Sequence, residues 1–209
     1  MQAEGRADRR CKVLVTAFVG GIGTAHVPPS VATPLFHRLQ SLRYPGVCVK
    51  EFSAYCPWCA HSWVRKAFTG SKRRLPTDKE VEIGPRVILY GYSLGAPSAL
   101  GLAEQLERDG IPIELEITVD SKGFTPGIIP RNVKVAANFY EKELLPFASG
   151  KDNMRPEDRE ATDFLGNIRL EHVGHLKIAA SIPVEQLLVR TARMLAYKEV
   201  DVNRIGSEE

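Results

Sequence analysis

No uninterrupted apolar run in this sequence approaches the roughly 20 residues that a helix needs to cross a bilayer, so no membrane span is expected. Charge of one sign is also lacking: 28 Lys and Arg nearly balance 25 Asp and Glu, leaving +3 over 209 residues. The basic cluster Lys72-Arg73-Arg74 is too short for the broad face that phosphate backbones require, and it reads as a solvated loop. No nucleic-acid partner is expected. Cysteine is scarce, and of Cys11, Cys48, Cys56 and Cys59 only the last two stand close, in CPWC. A structural zinc site needs more ligands than this pair and His61 supply, so no metal is expected. A redox centre needs its first cysteine at a helix N-terminus after a strand. The pair follows EFSAY at a plausible strand end, which keeps that reading open beside the simpler one of loop packing.

What is present is ordinary for a folded domain: 44% hydrophobic and 25% charged residues, in a length that suits one core. A single domain over residues 1–209 is expected, with 1–10 as a flexible N-terminus. The apolar stretch from Val13 to Ile22 follows basic residues, but its glycines and the lack of a cleavage site argue against a signal peptide. A cytoplasmic location is the default. The oligomeric state is left open.

Apolar β-branched runs alternate with helical patterns along the chain. Strands are expected at KVLVTAFV (12–19), GVCVKEF (46–52), Val87 to Tyr90, IELEITV (113–119) and NIRLEHV (167–173), with VKVAANFYE (133–141) a further strand or a strand-helix junction. Helices are expected from Ser30 to Leu42, from His61 to Phe68, from the turn after Tyr90 to Arg108, and from Pro183 to Glu199. The polar stretch from Glu141 to Thr162 reads as an excursion with one short helix. This alternation implies an α/β fold: a mainly parallel sheet flanked by helices on both faces, with reactive groups at the C-terminal edge of its strands.

The motif that carries chemistry is VILYGYSLGAPSAL (87–100), which sets Ser93 between Gly91 and Gly95. A serine on a tight strand-to-helix turn sits in strained backbone, and its neighbours two before and two after must be small. The rival reading is a helix-capping serine. A nucleophilic serine needs a base and a group to orient it, in the chain order serine, acid, histidine. Only His172 and His175 follow Ser93. His175, in a loop after Gly174, is preferred over His172, which the pattern puts inside a strand. For the acid, Asp120 at the end of ITVD is preferred over Glu141 and Asp163, with Asp152 and Asp158 set aside in the polar excursion. The oxyanion donors are assigned to the Leu94 backbone N–H and to the loop after the first strand, at Gly20, Gly21 or Ile22. Gly21-Ile22-Gly23 with Glu51 also matches part of a dinucleotide fingerprint, but His26 occupies the third small position and Val27-Pro28-Pro29 interrupts the helix it needs.

GYSLG, Asp120 at a later strand end and a C-terminal histidine, in that order, resemble the α/β-hydrolase superfamily. The run from Val87 to Ile178, with NVKVAANFY, looks like its small bacterial lipase- or esterase-like members. The resemblance implies a compact α/β-hydrolase fold without a separate cap domain, any cover coming from short segments such as Tyr55 to Thr69 or Glu141 to Thr162. It implies a small acyl-ester substrate, cleaved through an acyl-enzyme on Ser93 without a cofactor. Thioesters and amides are open to the same triad. A reading of another class is a noncatalytic binding module with YCPWCAHSW as its contact surface.

Overall fold

The computed structural model describes residues 11–19, 33–69, 72–74, 80–82, 84–122, 126–142 and 150–205. In chain order the elements are β1 (Val13–Val19), α1 (Thr33–Ser41), β2 (Val47–Ser53), α2 (Pro57–Thr69), β3 (Lys72–Arg74), β4 (Glu80–Glu82), β5 (Arg86–Tyr92) and α3 (Gly95–Arg108). There follow β6 (Leu115–Val119), β7 (Ile128–Ile129), β8 (Val135–Tyr140), β9 (Arg155–Pro156), β10 (Asp163–Arg169), α4 (His175–Ile178) and α5 (Ile182–Ile205).

Six strands form one sheet in the order β10-β8-β6-β5-β1-β2, every neighbouring pair parallel. A parallel strand covered on both faces reads as a continuous apolar run, and all seven residues of β1 are buried. Alternation sends them into two cores. Val13, Val15, Ala17 and Val19 join Leu35 and Phe36 of α1 and Val184 and Leu188 of α5, whereas Leu14 and Phe18 join Val64 of α2 and Leu102 and Leu106 of α3. From β1 the chain moves outward to β2, then returns to β5 on the other side and continues away through β6, β8 and β10. The order therefore reverses between β1 and β5, which is where an open α/β sheet forms a crevice for ligands.

Several elements differ from the sequence expectations. Helix α2 begins four residues before His61, because Pro57 suits a first helical position and Ala60, Val64 and Ala67 form one buried stripe. The cluster Lys72-Arg73-Arg74 is not a loop but a strand, set in register against Glu82, Val81 and Glu80. The excursion from Glu141 to Thr162 has no helix among its described residues; it carries β9, paired with β7. The last strand ends at Arg169, four residues earlier than expected, and its register on β8 shifts between Phe164 and Asn167.

Two disulfides are present. Cys11–Cys48 ties the entry of β1 to β2 across 37 positions, while Cys56–Cys59 spans 3. In the chain-entropy view, closing the longer loop contributes about 4 kcal/mol and closing the shorter one under about 2 kcal/mol. The first is the structural staple.

A polar ladder crosses the sheet. Thr118 Oγ1 donates to Asn138 Oδ1 (2.9 Å), and Asn138 Nδ2 donates to Asn167 Oδ1 (2.9 Å) and to the Lys151 carbonyl (2.7 Å). Asn167 also pairs with both backbone groups of Met154, so the ladder pins residues 151–154 to the sheet.

Glu116 breaks the rule that buried polar groups are satisfied. IELEITV suggests one wet face, yet Glu116 is 1% exposed, flanked on the sheet by Leu89 and Ala136, with neither carboxylate oxygen hydrogen-bonded. Burial, reinforced by the charge of Glu104, pushes its carboxyl from the ordinary 4.5 up to about 8. The folded state thus keeps a proton that the unfolded chain releases, and stability should fall as pH rises from 4.5 toward about 8, then level off. Glu116→Gln should remove this slope, so that its advantage in urea-unfolding free energy widens across the same window. Parallel pH profiles for the two proteins would contradict this account.

Candidate active site

Ser93 follows β5 and precedes α3 with φ of +56°, a left-handed conformation that costs a non-glycine residue about 1–3 kcal/mol. Its neighbours enforce it. A Cβ on Gly91 would lie 2.6 Å from Ala96 Cα, and one on Gly95 would lie 2.3 Å from the Phe18 carbonyl oxygen. Only glycine lets the strand, the turn and the first turn of α3 approach this closely. The Ser93 N–H donates to the Val119 carbonyl (2.9 Å), and the Ser93 carbonyl accepts from the N–H groups of Ala96 and Lys122 (both 3.2 Å). The turn is thereby sewn to the end of β6. Leu94 stands at the N-cap of α3 with helical φ and ψ, and no side chain caps that end.

Asp120 follows β6, wholly buried and with φ of +45°. One carboxylate oxygen, Oδ2, meets His175 Nδ1 and lies 3.1 Å from Lys122 Nζ. The other, Oδ1, accepts from the Glu141 N–H at 3.5 Å. His175 is the first residue of α4, one residue past Gly174, whose φ is +73°. The expected loop histidine therefore opens a short helical turn, still beyond the C-terminal end of the last strand. Its ring stacks on that of Tyr92 with centroids 5.0 Å apart, and the Tyr92 hydroxyl donates to the His175 carbonyl (2.9 Å).

Two tyrosines of β5 hold this segment, a role the sequence reading does not assign. Tyr90 and Tyr92 point to the same face of the sheet; the Tyr90 hydroxyl donates to the Ala179 carbonyl (2.6 Å) as Tyr92 does to His175. Burial raises the pKa of both phenols above the ordinary 10, with the charges of Asp120 and Glu141 adding to the effect on Tyr92, so each stays a neutral donor. The available signal is the hydroxyl-bearing pair Tyr-Gly-Tyr in an otherwise apolar strand.

The remaining candidates fall elsewhere. His172 stands exposed in the turn after β10, not within the strand, with φ of +61°. Glu141 lies at the end of β8 and touches Asp120 through its backbone. Asp163 opens β10 at the opposite edge of the sheet, Asp152 pairs with Lys142 at 3.0 Å, and Asp158 caps a turn through the N–H groups of Glu160 and Ala161. Gly20, Gly21, Ile22, Gly23 and His26 lie outside the described residues. Among the described residues, no three His, Cys, Asp or Glu side chains gather in a way that could hold a metal ion. A surface cleft lined by Arg65, Phe68, Arg86, Asp109, Pro112 and Glu114 opens at the N-terminal edge of the strands, away from Ser93.

No family model matches the chain, and no curated protein matches it in sequence. Solved structures match in shape. They include RedJ, a thioesterase from the prodiginine biosynthetic pathway in Streptomyces coelicolor (13% identity, 92% of this chain and 89% of that one, TM-score 0.49). Others are a dienelactone hydrolase from Anabaena variabilis (13%, 89% and 85%, 0.48) and a Xanthomonas campestris α/β serine hydrolase without a lid (13%, 88% and 81%, 0.48). These are structures of the α/β-hydrolase type. The chain's own strand order and two-sided helical cover define a parallel α/β sheet with its crevice at the C-terminal ends of β1 and β5. No helix among the described residues is long and apolar enough to cross a membrane.

Gly95→Ala tests the steric claim. Its Cβ must displace the β1 backbone or unwind the turn, so the variant should lose about 2 kcal/mol or more of unfolding free energy, beyond an ordinary surface change. A Gly101→Ala control, where a Cβ meets nothing within 4 Å, should be neutral or stabilising.

Proposed function

We propose that this chain is a serine hydrolase of carboxylic esters, carried on one domain, with Ser93 as nucleophile, His175 as base and Asp120 as orienting acid. The observation that carries the reading is the contact between His175 Nδ1 and the wholly buried Asp120 carboxylate, beside a serine held at positive φ. With its Nδ1 proton directed to Asp120, the imidazole leaves Nε2 as the acceptor.

In the proposed cycle Nε2 takes the Ser93 hydroxyl proton while Oγ attacks the acyl carbon, and the carbonyl π electrons move onto oxygen. The Leu94 N–H, at the positive end of α3, receives that oxyanion together with a second donor that the sequence pattern assigns to Gly21 or Ile22. As the tetrahedral adduct collapses, the alkoxide leaves with the proton from His175. Water, giving its proton to the same nitrogen, then attacks the acyl-enzyme, and Ser93 recovers its hydrogen as the acid departs. Asp120 stabilises the imidazolium in both halves. Lys122 shares Oδ2, so the carboxylate keeps a cationic neighbour while the imidazole is neutral.

Thioesters and amides fit the same sequence of steps and differ only in the leaving group. The rival reading is a noncatalytic binding module with the aromatic stretch YCPWCAHSW as its contact surface; it would be favoured by a triad that fails to converge, and the Asp120–His175 contact argues against it. The cytoplasm is the location proposed with this reading; the two disulfides pull the other way, since structural disulfides persist mainly in oxidising compartments.

A fluorophosphonate probe should label Ser93, and Ser93→Ala should abolish both labelling and turnover of short p-nitrophenyl esters. Full activity in that variant would sink the assignment. His175→Ala should lose about 10³-fold or more in kcat and His172→Ala little; the reverse order would move the base to His172. Asp120→Asn should retain the fold by circular dichroism yet lose roughly 10³–10⁴-fold in kcat. Graded p-nitrophenyl esters alongside acyl thioesters then read out the leaving-group preference.

A further inference from the structure

The second cysteine pair has features that a structural staple does not need. Strand β2 ends at the same edge of the sheet as Ser93, and after the turn at Ala54 and Tyr55 comes Cys56, directly before the 13-residue α2. The Cys56 N–H donates to the Ser53 carbonyl (3.0 Å), and the Cys59 N–H donates to the Cys56 carbonyl (3.1 Å). The Cys59-to-Cys56 backbone bond thus spans the same pair that the disulfide joins, at a Cα separation of 5.4 Å. Cys59 is exposed and Cys56 half-buried, with Tyr55 (50% exposed) and Trp58 (65% exposed) beside them. Cys11–Cys48 differs on each count: it links residues 37 apart, and both its members pack against the core formed with α2 and α3.

We propose that Cys56–Cys59 is a thiol–disulfide exchange site, separate from the Ser93 centre, that takes two electrons from thiol reductants. A thiolate of the reductant attacks the exposed Cys59 Sγ. The Cys56–Cys59 bond breaks, and its electron pair leaves on Cys56 Sγ, where the N-terminal dipole of α2 stabilises the new thiolate. A second thiolate attacks the reductant sulfur of the mixed disulfide, which releases Cys59 as thiolate and forms the oxidised reductant. Two protons, lost by the two reductant thiols, complete the dithiol. Nothing in this step uses Ser93, Asp120 or His175, so it stands whether or not the hydrolase reading does.

The test uses the full chain in glutathione buffers of graded ratio, quenched by alkylation and read at each cysteine by mass spectrometry. Cys56 and Cys59 should become alkylated at a reduced glutathione concentration at least about tenfold below that which opens Cys11–Cys48, and oxidised glutathione should close them again with the circular dichroism unchanged. With oxidised glutathione as the disulfide, Cys59→Ser should take up glutathione on Cys56, the thiolate stabilised at the α2 N-terminus, faster than Cys56→Ser takes it up on Cys59. The proposal is overturned if the pair stays closed until Cys11–Cys48 opens, if it opens only in denaturant, or if Cys59 proves the faster to take up glutathione. Should either variant fail to fold, the wild-type titration decides by itself.

Discussion

The close approach of α3 to β1 governs the rest of the site. Gly95 lies so near the Phe18 carbonyl, and Gly91 so near Ala96, that no layer of side chains separates the first turn of the helix from the strands beneath. The chain must therefore pass from β5 into α3 through two residues, and a reversal that short puts Ser93 in the left-handed region. Once there, Ser93 exchanges backbone hydrogen bonds with Val119 and Lys122, on either side of Asp120. The ends of β5 and β6 are joined before any side chain acts. Asp120, and through it His175, take their positions from that joint.

Most of this was legible in the sequence because it rests on local backbone chemistry. Glycines two before and two after Ser93, the apolar β1 and the strand end at Asp120 each carry a signal within a few residues. The signals that failed are non-local. The preference for His175 over His172 rests on loop placement, and the contact of His175 with a carboxylate 55 positions earlier has no local signal. The start of β10 is displaced from its expected place because Gly166, at a positive φ, and the register shift between Phe164 and Asn167 interrupt its pattern. Lys72 to Arg74 look like a loop until the register with Glu80 to Glu82 is known. Tyr92 is the variable residue of GYSLG, so nothing in the motif signals its stacking on His175.

The middle of the sheet shows two outcomes of burying polar groups between apolar layers. Thr118, Asn138 and Asn167 succeed because each finds its partner on the next strand, and together they hold the segment that passes over them. Glu116, two residues before Thr118 on the same face of β6, finds none and keeps its proton instead. Of two positions on one face of one strand, the one with an amide across the ladder is hydrogen-bonded and the one without is a carboxyl held protonated.

The irregular register of β10 bears on how the molecule meets its own copies. As the outer strand beside β8, β10 offers one row of backbone donors and acceptors to solvent, and exposed Leu165 gives that margin an apolar character. A straight strand there would template a further one from a second chain. The shift between Phe164 and Asn167, with Gly166 at φ of +113°, interrupts the spacing of those groups midway. The flaw that hid β10 from the sequence reading protects the sheet from growing past it.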